Sequence, residues 1–168
     1  DRSNAIGLFL LPFARELING PTPNHLIEAP TAGNGKGLLN DCLLYPAIGH
    51  DIAVMPEGSD NAEWEKQITA ALLRAPRAVT IDNITEPIKS GNLAMAYTAR
   101  YWGARILGKS ENCNIPIRCV WTMTANNPTM SDEIMRRSVR IRIDAKAEKP
   151  WDRQDFRHDN LRGWGSEH

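Results

Sequence analysis

The sequence predicts an α/β sandwich on a mainly parallel sheet, from three observations. Short apolar runs (His25 to Ala29, Ala78 to Asp82, Ile117 to Thr124) alternate with helical stretches, the rhythm of strands joined by crossover helices. The second run ends in an acid, Asp82, and the third leads into Asn126. Open α/β sheets meet their ligands at this carboxyl edge. Behind the first run, residues 29–39 read Ala-Pro-Thr-Ala-Gly-Asn-Gly-Lys-Gly-Leu-Leu, a glycine-rich turn ending in Gly-Lys before a helix.

A strand, such a turn and a helix make up the phosphate-cradling P-loop. Backbone N–H groups of Thr31, Ala32, Gly33, Asn34, Gly35, Lys36, Gly37 and Leu38 can converge on phosphate oxygens. The helix N-terminus adds partial positive charge, and the Lys36 ammonium reaches the terminal phosphates. Two positions depart from the pattern. Pro30 stands where it has its first Gly, and Gly37 where it has a magnesium-binding Ser or Thr.

The elements follow in order. Asn4 to Ile18 reads as an apolar helix kinked near Pro12, and Asn19-Gly20-Pro21-Thr22-Pro23 breaks it. After strand 25–29 comes a helix from Lys36 to Leu44. Residues 46–59 read as loop around a short apolar Ile52-Ala53-Val54-Met55. Asp60 and Glu63 form a capping box for a helix to Arg74, with Trp64, Ile68 and Leu72 on one face. Ala78 to Asp82 reads as a buried parallel strand, 83–91 as loop and Asn92 to Trp102 as helix. Arg105 to Gly108 is a strand candidate, Lys109 to Asn114 a turn, and Ile117 to Thr124 a second buried strand. Ser131, Asp132 and Glu133 cap a short helix carrying Arg136 and Arg137. In Val139 to Ile143, Ile141 and Ile143 share one face and Arg140 and Arg142 the other. That basic face is expected to be solvated or paired with Asp132, Glu133 and Asp144. The five tryptophans read mostly as core.

The chain has 168 residues, which predicts one domain. Its 20 basic residues balance 20 acidic ones, so no global polyanion-binding signature exists. Three cysteines without metal-ligand spacing predict reduced thiols in a cytoplasmic protein. No apolar run reaches membrane-spanning length. The start without Met and the Arg-Gly-Trp-Gly-Ser-Glu-His end predict a piece of a longer chain.

Three groups carry candidate chemistry. Asp82 at a strand end either caps a turn or, behind a phosphate loop, holds Mg²⁺. Its neighbour Asn83 stands where an acid commonly polarises water, leaving Glu86 and Glu57 as candidates for the base. Asn126 either forms an ordinary Asn-Asn-Pro turn or orients the attacking water. Arg136 and Arg137 sit at a helix end, from which an Arg reaches the γ-phosphate held by a neighbouring subunit.

The order Gly-Asn-Gly-Lys, strand to Asp82, strand to Asn126, then Arg136-Arg137 resembles the AAA+ ATPase core. More narrowly, Gly-Lys-Gly-Leu-Leu, Glu63 to Lys66, Ile81 to Asn83, Arg105 to Ser110, Thr124 to Asn127 and the 148–161 tail resemble the helicase-type ATPase domain of prophage and mobile-element replication proteins associated with primases. The resemblance spans roughly residues 4–164, and the joint order of its motifs carries it. It implies a P-loop NTPase (AAA+) three-layer α/β/α sandwich, residues 1–168 forming one core that lacks most of the helical lid. It implies ATP and Mg²⁺ as ligands, with Lys36, Asp82, Asn126, Arg136 and Arg137 as catalytic residues and Asp82 on the metal. A homo-oligomer, a hexameric ring in the longer protein, and DNA are the implied partners. Arg105 and Lys109 occupy a pore-facing hairpin position; a solvated hairpin tip is the other reading. The implied function is an ATP-driven motor of a DNA helicase-like replication protein of a phage or mobile element. A nucleotide-regulated assembly or loader module with weak turnover is the alternative, and a degenerate fold binding only partners a third.

Overall fold

Five parallel strands form the centre of the protein in a computed structural model, which describes residues 1–49, 52–105, 112–147, 149–152, 154, 156–158 and 160–167. In chain order the elements are helix α1 (Arg2–Ala14) with a 3-10 turn (Arg15–Leu17), β1 (Asn24–Ala29), α2 (Lys36–Ile48), β2 (Ile52–Met55), α3 (Asn61–Leu72) and β3 (Ala78–Ile84). Then come α4 (Gly91–Ala96), β4 (Tyr101–Arg105), β5 (Asn112–Pro116), β6 (Val120–Asn126), α5 (Asp132–Met135), β7 (Ser138–Arg142), a 3-10 turn (Pro150–Asp152) and α6 (Leu161–Glu167).

The sheet order is β2-β3-β6-β1-β7, every neighbour parallel, and β4 and β5 form a separate antiparallel hairpin. β1 is buried at all six residues, as a strand covered on both faces must be. Adjacent residues point to opposite faces. Ile27, Ala78 and Val120 join Leu8 of α1 and Leu44 of α2, while Leu26, Val79 and Trp121 join Trp64, Ile68 and Leu72 of α3 and Leu93 of α4. Two cores on one sheet make a three-layer α/β/α sandwich of the P-loop NTPase type.

Several boundaries differ from the sequence reading. α2 continues through Pro46 to Ile48, at the cost of the one bond that the missing Pro46 N–H would make to the Cys42 carbonyl. The helix expected over 92–102 ends at Ala96, and Trp102 lies in β4 instead. Burial under α3 decides this: Trp102 is fully buried and its Nε1–H donates to Thr69 Oγ1 at 2.9 Å. Asn112 to Asn114, expected in a turn, belong to β5. Ile117 precedes β6, which runs on to Asn126. Asp60 does cap α3 by accepting from the Glu63 N–H at 2.8 Å, but the Glu63 carboxylate turns to Lys66 and Gln67. Trp64, Trp102 and Trp121 are core; Trp151 and Trp164 are exposed.

Candidate phosphate-loop site

The glycine-rich loop follows β1 and enters α2. Left-handed backbone occurs in it at Gly33 (φ 75°) and Gly35 (φ 82°) and nowhere else between Ala29 and Lys36. Those two positions require glycine; Pro30 does not, and its carbonyl accepts from Asn127 Nδ2 at 3.1 Å. Asn34 braces the loop, donating to the Thr31 carbonyl and hydroxyl at 2.9 Å and accepting from the Ala145 N–H at 2.8 Å. Trp151 packs over the loop so closely that a Cβ on Gly33 would lie 2.9 Å from its ring. At Gly37 a Cβ would meet nothing within 4 Å, so the missing hydroxyl there is not excluded sterically.

Lys36 opens α2 and is buried. Its Nζ donates to Asn126 Oδ1 at 2.6 Å. Parallel pairing brings this about, since Ala29 and Asn126 are register partners at the ends of β1 and β6. Burial lowers the Lys36 pKa from the ordinary lysine value, and the Asp82 carboxylate opposes that shift.

Asp82 lies at a bulge, where the β3–β6 register shifts between Ile81 and Ile84. Bulges re-aim side chains. Asn83 takes the left-handed conformation there (φ 54°), one that Asn tolerates better than most residues. Thr124 holds both residues: its hydroxyl donates to Asp82 Oδ1 at 2.5 Å and accepts from the Asn83 N–H at 2.8 Å. Behind it the Thr80 and Thr122 hydroxyls pair at 2.8 Å, and Asn40 Nδ2 donates to Thr80 Oγ1 at 3.1 Å. The Asn40 Oδ1 is buried without a protein partner. A cleft of about 430 Å³ joins Gly37, Asn40, Thr80 and Asp82 with Arg162, which reaches in from α6 and pairs with Asp41 at 2.7 Å.

Lys36, Asp82 and Asn126 thus come together at one end of the sheet, while other candidates fall elsewhere. Glu57 accepts from the Thr85 N–H and hydroxyl and the Glu86 N–H, which hold its carboxyl below the usual range against the upward push of burial. It builds the turn after β3, and Glu86 is exposed beside it. Arg137 is half-buried, donates to the Glu133 carbonyl at 2.7 Å and pairs with its carboxylate at 3.4 Å. Arg136 is exposed and donates through Nε to the Asp132 carbonyl at 3.3 Å. Only the backbone of Arg105 is described, at the end of β4, and Lys109 lies outside the described residues.

The basic face of β7 is neither simply solvated nor paired with Asp132, Glu133 or Asp144. Arg140 and Arg142 reach Glu28 of β1 at 2.7 and 3.4 Å, and Glu28 is 1% exposed. A buried carboxylate demands such partners, and Arg142 also donates to Asn127 at 3.2 Å beside the loop. Sequence reasoning missed Glu28, Asn40, Thr80, Thr122, Thr124 and Arg162. A signal existed for the threonines: at alternate positions of buried strands they form a polar line on one face.

No family model and no curated protein matches the chain. Among solved structures it is similar to the apo C-terminal region of NrS-1, with a TM-score of 0.56 and 14% identity over 96% of this chain and 38% of that one. It is also similar to JCV helicase in complex with a thiazolopyridine compound, with a TM-score of 0.51 and 13% identity over 82% of this chain and 40% of that one. The chain therefore spans less than half the length of either structure. At these identities the likeness establishes the fold, a P-loop NTPase-like α/β domain of the kind seen in a solved helicase structure.

Proposed function

We propose that this chain is the ATP-binding and hydrolysing motor domain of a DNA helicase-like replication protein of a phage or mobile element. The 2.6 Å contact between Lys36 and Asn126, with Asp82 facing the lysine, carries the reading. On this reading the group offers a cation for the terminal phosphates, an amide for the attacking water and a carboxylate for a metal at one end of the sheet.

The residues present fit ATP and Mg²⁺. Left-handed Gly33 and Gly35 suit a loop whose N–H groups turn inward. No cluster of three metal-ligating side chains exists among the described residues, as suits an ion that keeps several waters and leans on phosphates. Asp82 would hold the ion, and the unpartnered Asn40 oxygen would take one of its waters in place of the hydroxyl absent at Gly37. The bound ion supplies charge neutralisation to the phosphates. Lys36 neutralises terminal-phosphate charge, and Asn126 orients water for attack. Thr124 keeps the Asp82 carboxylate aimed.

Arg136 acts as the finger on the nucleotide of an adjoining copy, which requires a homo-oligomer, read as a hexameric ring of the longer protein. Arg105 and Lys109 of the hairpin region contact DNA phosphates. Residues 1–168 form one AAA+ core. The glycine at position 37 and the amide at Asn83 favour a second reading, a loader or assembly module with weak turnover. ATP hydrolysis and strand separation, measured with and without DNA, divide the two. DNA-stimulated turnover with unwinding supports the motor; tight nucleotide binding without turnover supports the loader.

A further inference from the structure

A cleft of about 230 Å³ opens at the sheet edge opposite Lys36, where the turn after α1 meets the base of the β4–β5 hairpin. Three guanidinium groups line it, from Arg15, Arg100 and Arg118, against one carboxylate, Glu16. Arg15 is 6% exposed. It donates to the Ile18 and Ile117 carbonyls at 3.1 and 2.9 Å, and its buried Nε has no protein partner. The Arg15 charge is thus fixed inside the wall. Arg100 donates to the Asn19 carbonyl at 3.3 Å, and Arg118 pairs with Glu16 at 2.9 Å with both side chains 69% exposed. A guanidinium offers five donors, so both keep further N–H groups beyond these bonds. Tyr101, 57% exposed, stands on the same rim.

We propose that this cleft binds single-stranded nucleic acid, with Arg100 and Arg118 on a backbone phosphate and Tyr101 stacked on the adjoining base. Charge-assisted bonds from guanidinium groups suit phosphate oxygens. An aromatic ring beside them suits an unpaired base, and a duplex keeps its bases stacked away from such a ring. The chain as a whole has no net charge, so this local excess is a feature of the cleft. The site is separate from the phosphate loop, which lies at the other end of the sheet.

Fluorescence anisotropy of a labelled oligo(dT) strand, without nucleotide, tests the site independently of any ATPase reading. Replacing Arg100 and Arg118 together by Ala should weaken binding by about tenfold or more and flatten the slope of log affinity against log salt by about 1.4. Tyr101→Ala should cost about fivefold. Glu16→Gln, which releases Arg118, should tighten binding while the melting temperature stays near that of the parent. Unchanged affinity and slope in the double arginine variant would overturn the proposal. So would a cleft that prefers poly-glutamate to oligo(dT) at matched charge and ignores the Tyr101 change, which would assign it to an acidic protein partner.

Discussion

Lys36 and Asn126, 90 residues apart in the chain, meet at 2.6 Å across the ends of two adjacent parallel strands. The amide oxygen is the acceptor that satisfies the buried ammonium. On the proposed reading, nucleotide binding would exchange that partner for phosphate oxygens and free the Asn126 amide to turn to water.

Lys36→Ala should reduce ATP affinity by roughly 2–5 kcal/mol, thirtyfold or more, because a buried charged contact is lost. Asn126→Ala should leave affinity within a few-fold and lower kcat by about a hundredfold. Titration with a fluorescent nucleotide and a phosphate-release assay separate the two effects. Ordinary turnover by the Lys36 variant would sink the ATPase reading.

The two arginines after α5 should behave unequally. Arg137 is half-buried and held to its own helix by a bond and an ion pair to Glu133, whereas Arg136 is exposed and held by one longer bond, 3.3 Å to the Asp132 carbonyl. In an assembled oligomer Arg136→Ala should spare nucleotide binding and cut turnover by about a thousandfold, the scale of a lost arginine finger. Arg137→Ala should cost far less. Equal losses in both variants, or none, would remove the finger from Arg136.

The Thr124 hydroxyl ties the Asp82 carboxylate and the Asn83 N–H to β6. Thr124→Val preserves shape but removes both hydrogen bonds, at about 0.5–1.5 kcal/mol each. Urea unfolding should record the loss. The magnesium concentration needed for half-maximal nucleotide binding should rise with it. A variant with parental stability and magnesium dependence would show the hydroxyl to be idle.

His25 in β1 carries a pH dependence of stability. Burial lowers its pKa from 6.5 to about 4, partly offset by a hydrogen bond to the Pro23 backbone. Above pH 6.5 the imidazole is neutral in both states and stability is complete. As pH falls from 6.5 to about 4 the unfolded chain takes up a proton that the folded chain refuses, and stability drops by about 3 kcal/mol in all. Below that window this contribution is flat. His25→Gln should abolish the slope, which urea midpoints measured inside and above the window will show by difference from the parent.

The phosphate loop, the β1 and β3 cores, and the positions of Lys36, Asp82 and Asn126 were legible because local chemistry dictates them. Glycines at left-handed sites and apolar runs ending in polar residues are sequence-local signals. The start of the hairpin's first strand was illegible because nothing near Trp102 announces that α3 covers it; the deciding bond goes to Thr69, 33 residues away. Glu28 is a carboxylate within a buried strand. Its partners Arg140 and Arg142 lie 112 and 114 residues downstream, so only topology could reveal why the β7 arginines are there.

The sheet order carries a last consequence, in the timing of synthesis. β1 is the first of these five strands to leave the ribosome, yet its neighbours are β6 and β7. Until residue 126 has emerged the strand that bears the phosphate loop has no partner on either edge, and until residue 142 it has one. Chains grow from the N-terminus at about 5–20 residues per second, so β1 waits several seconds as an unpaired apolar segment. The nascent chain cannot hide that edge before β7 arrives, and any truncation upstream of β7 should yield a sticky, aggregation-prone product.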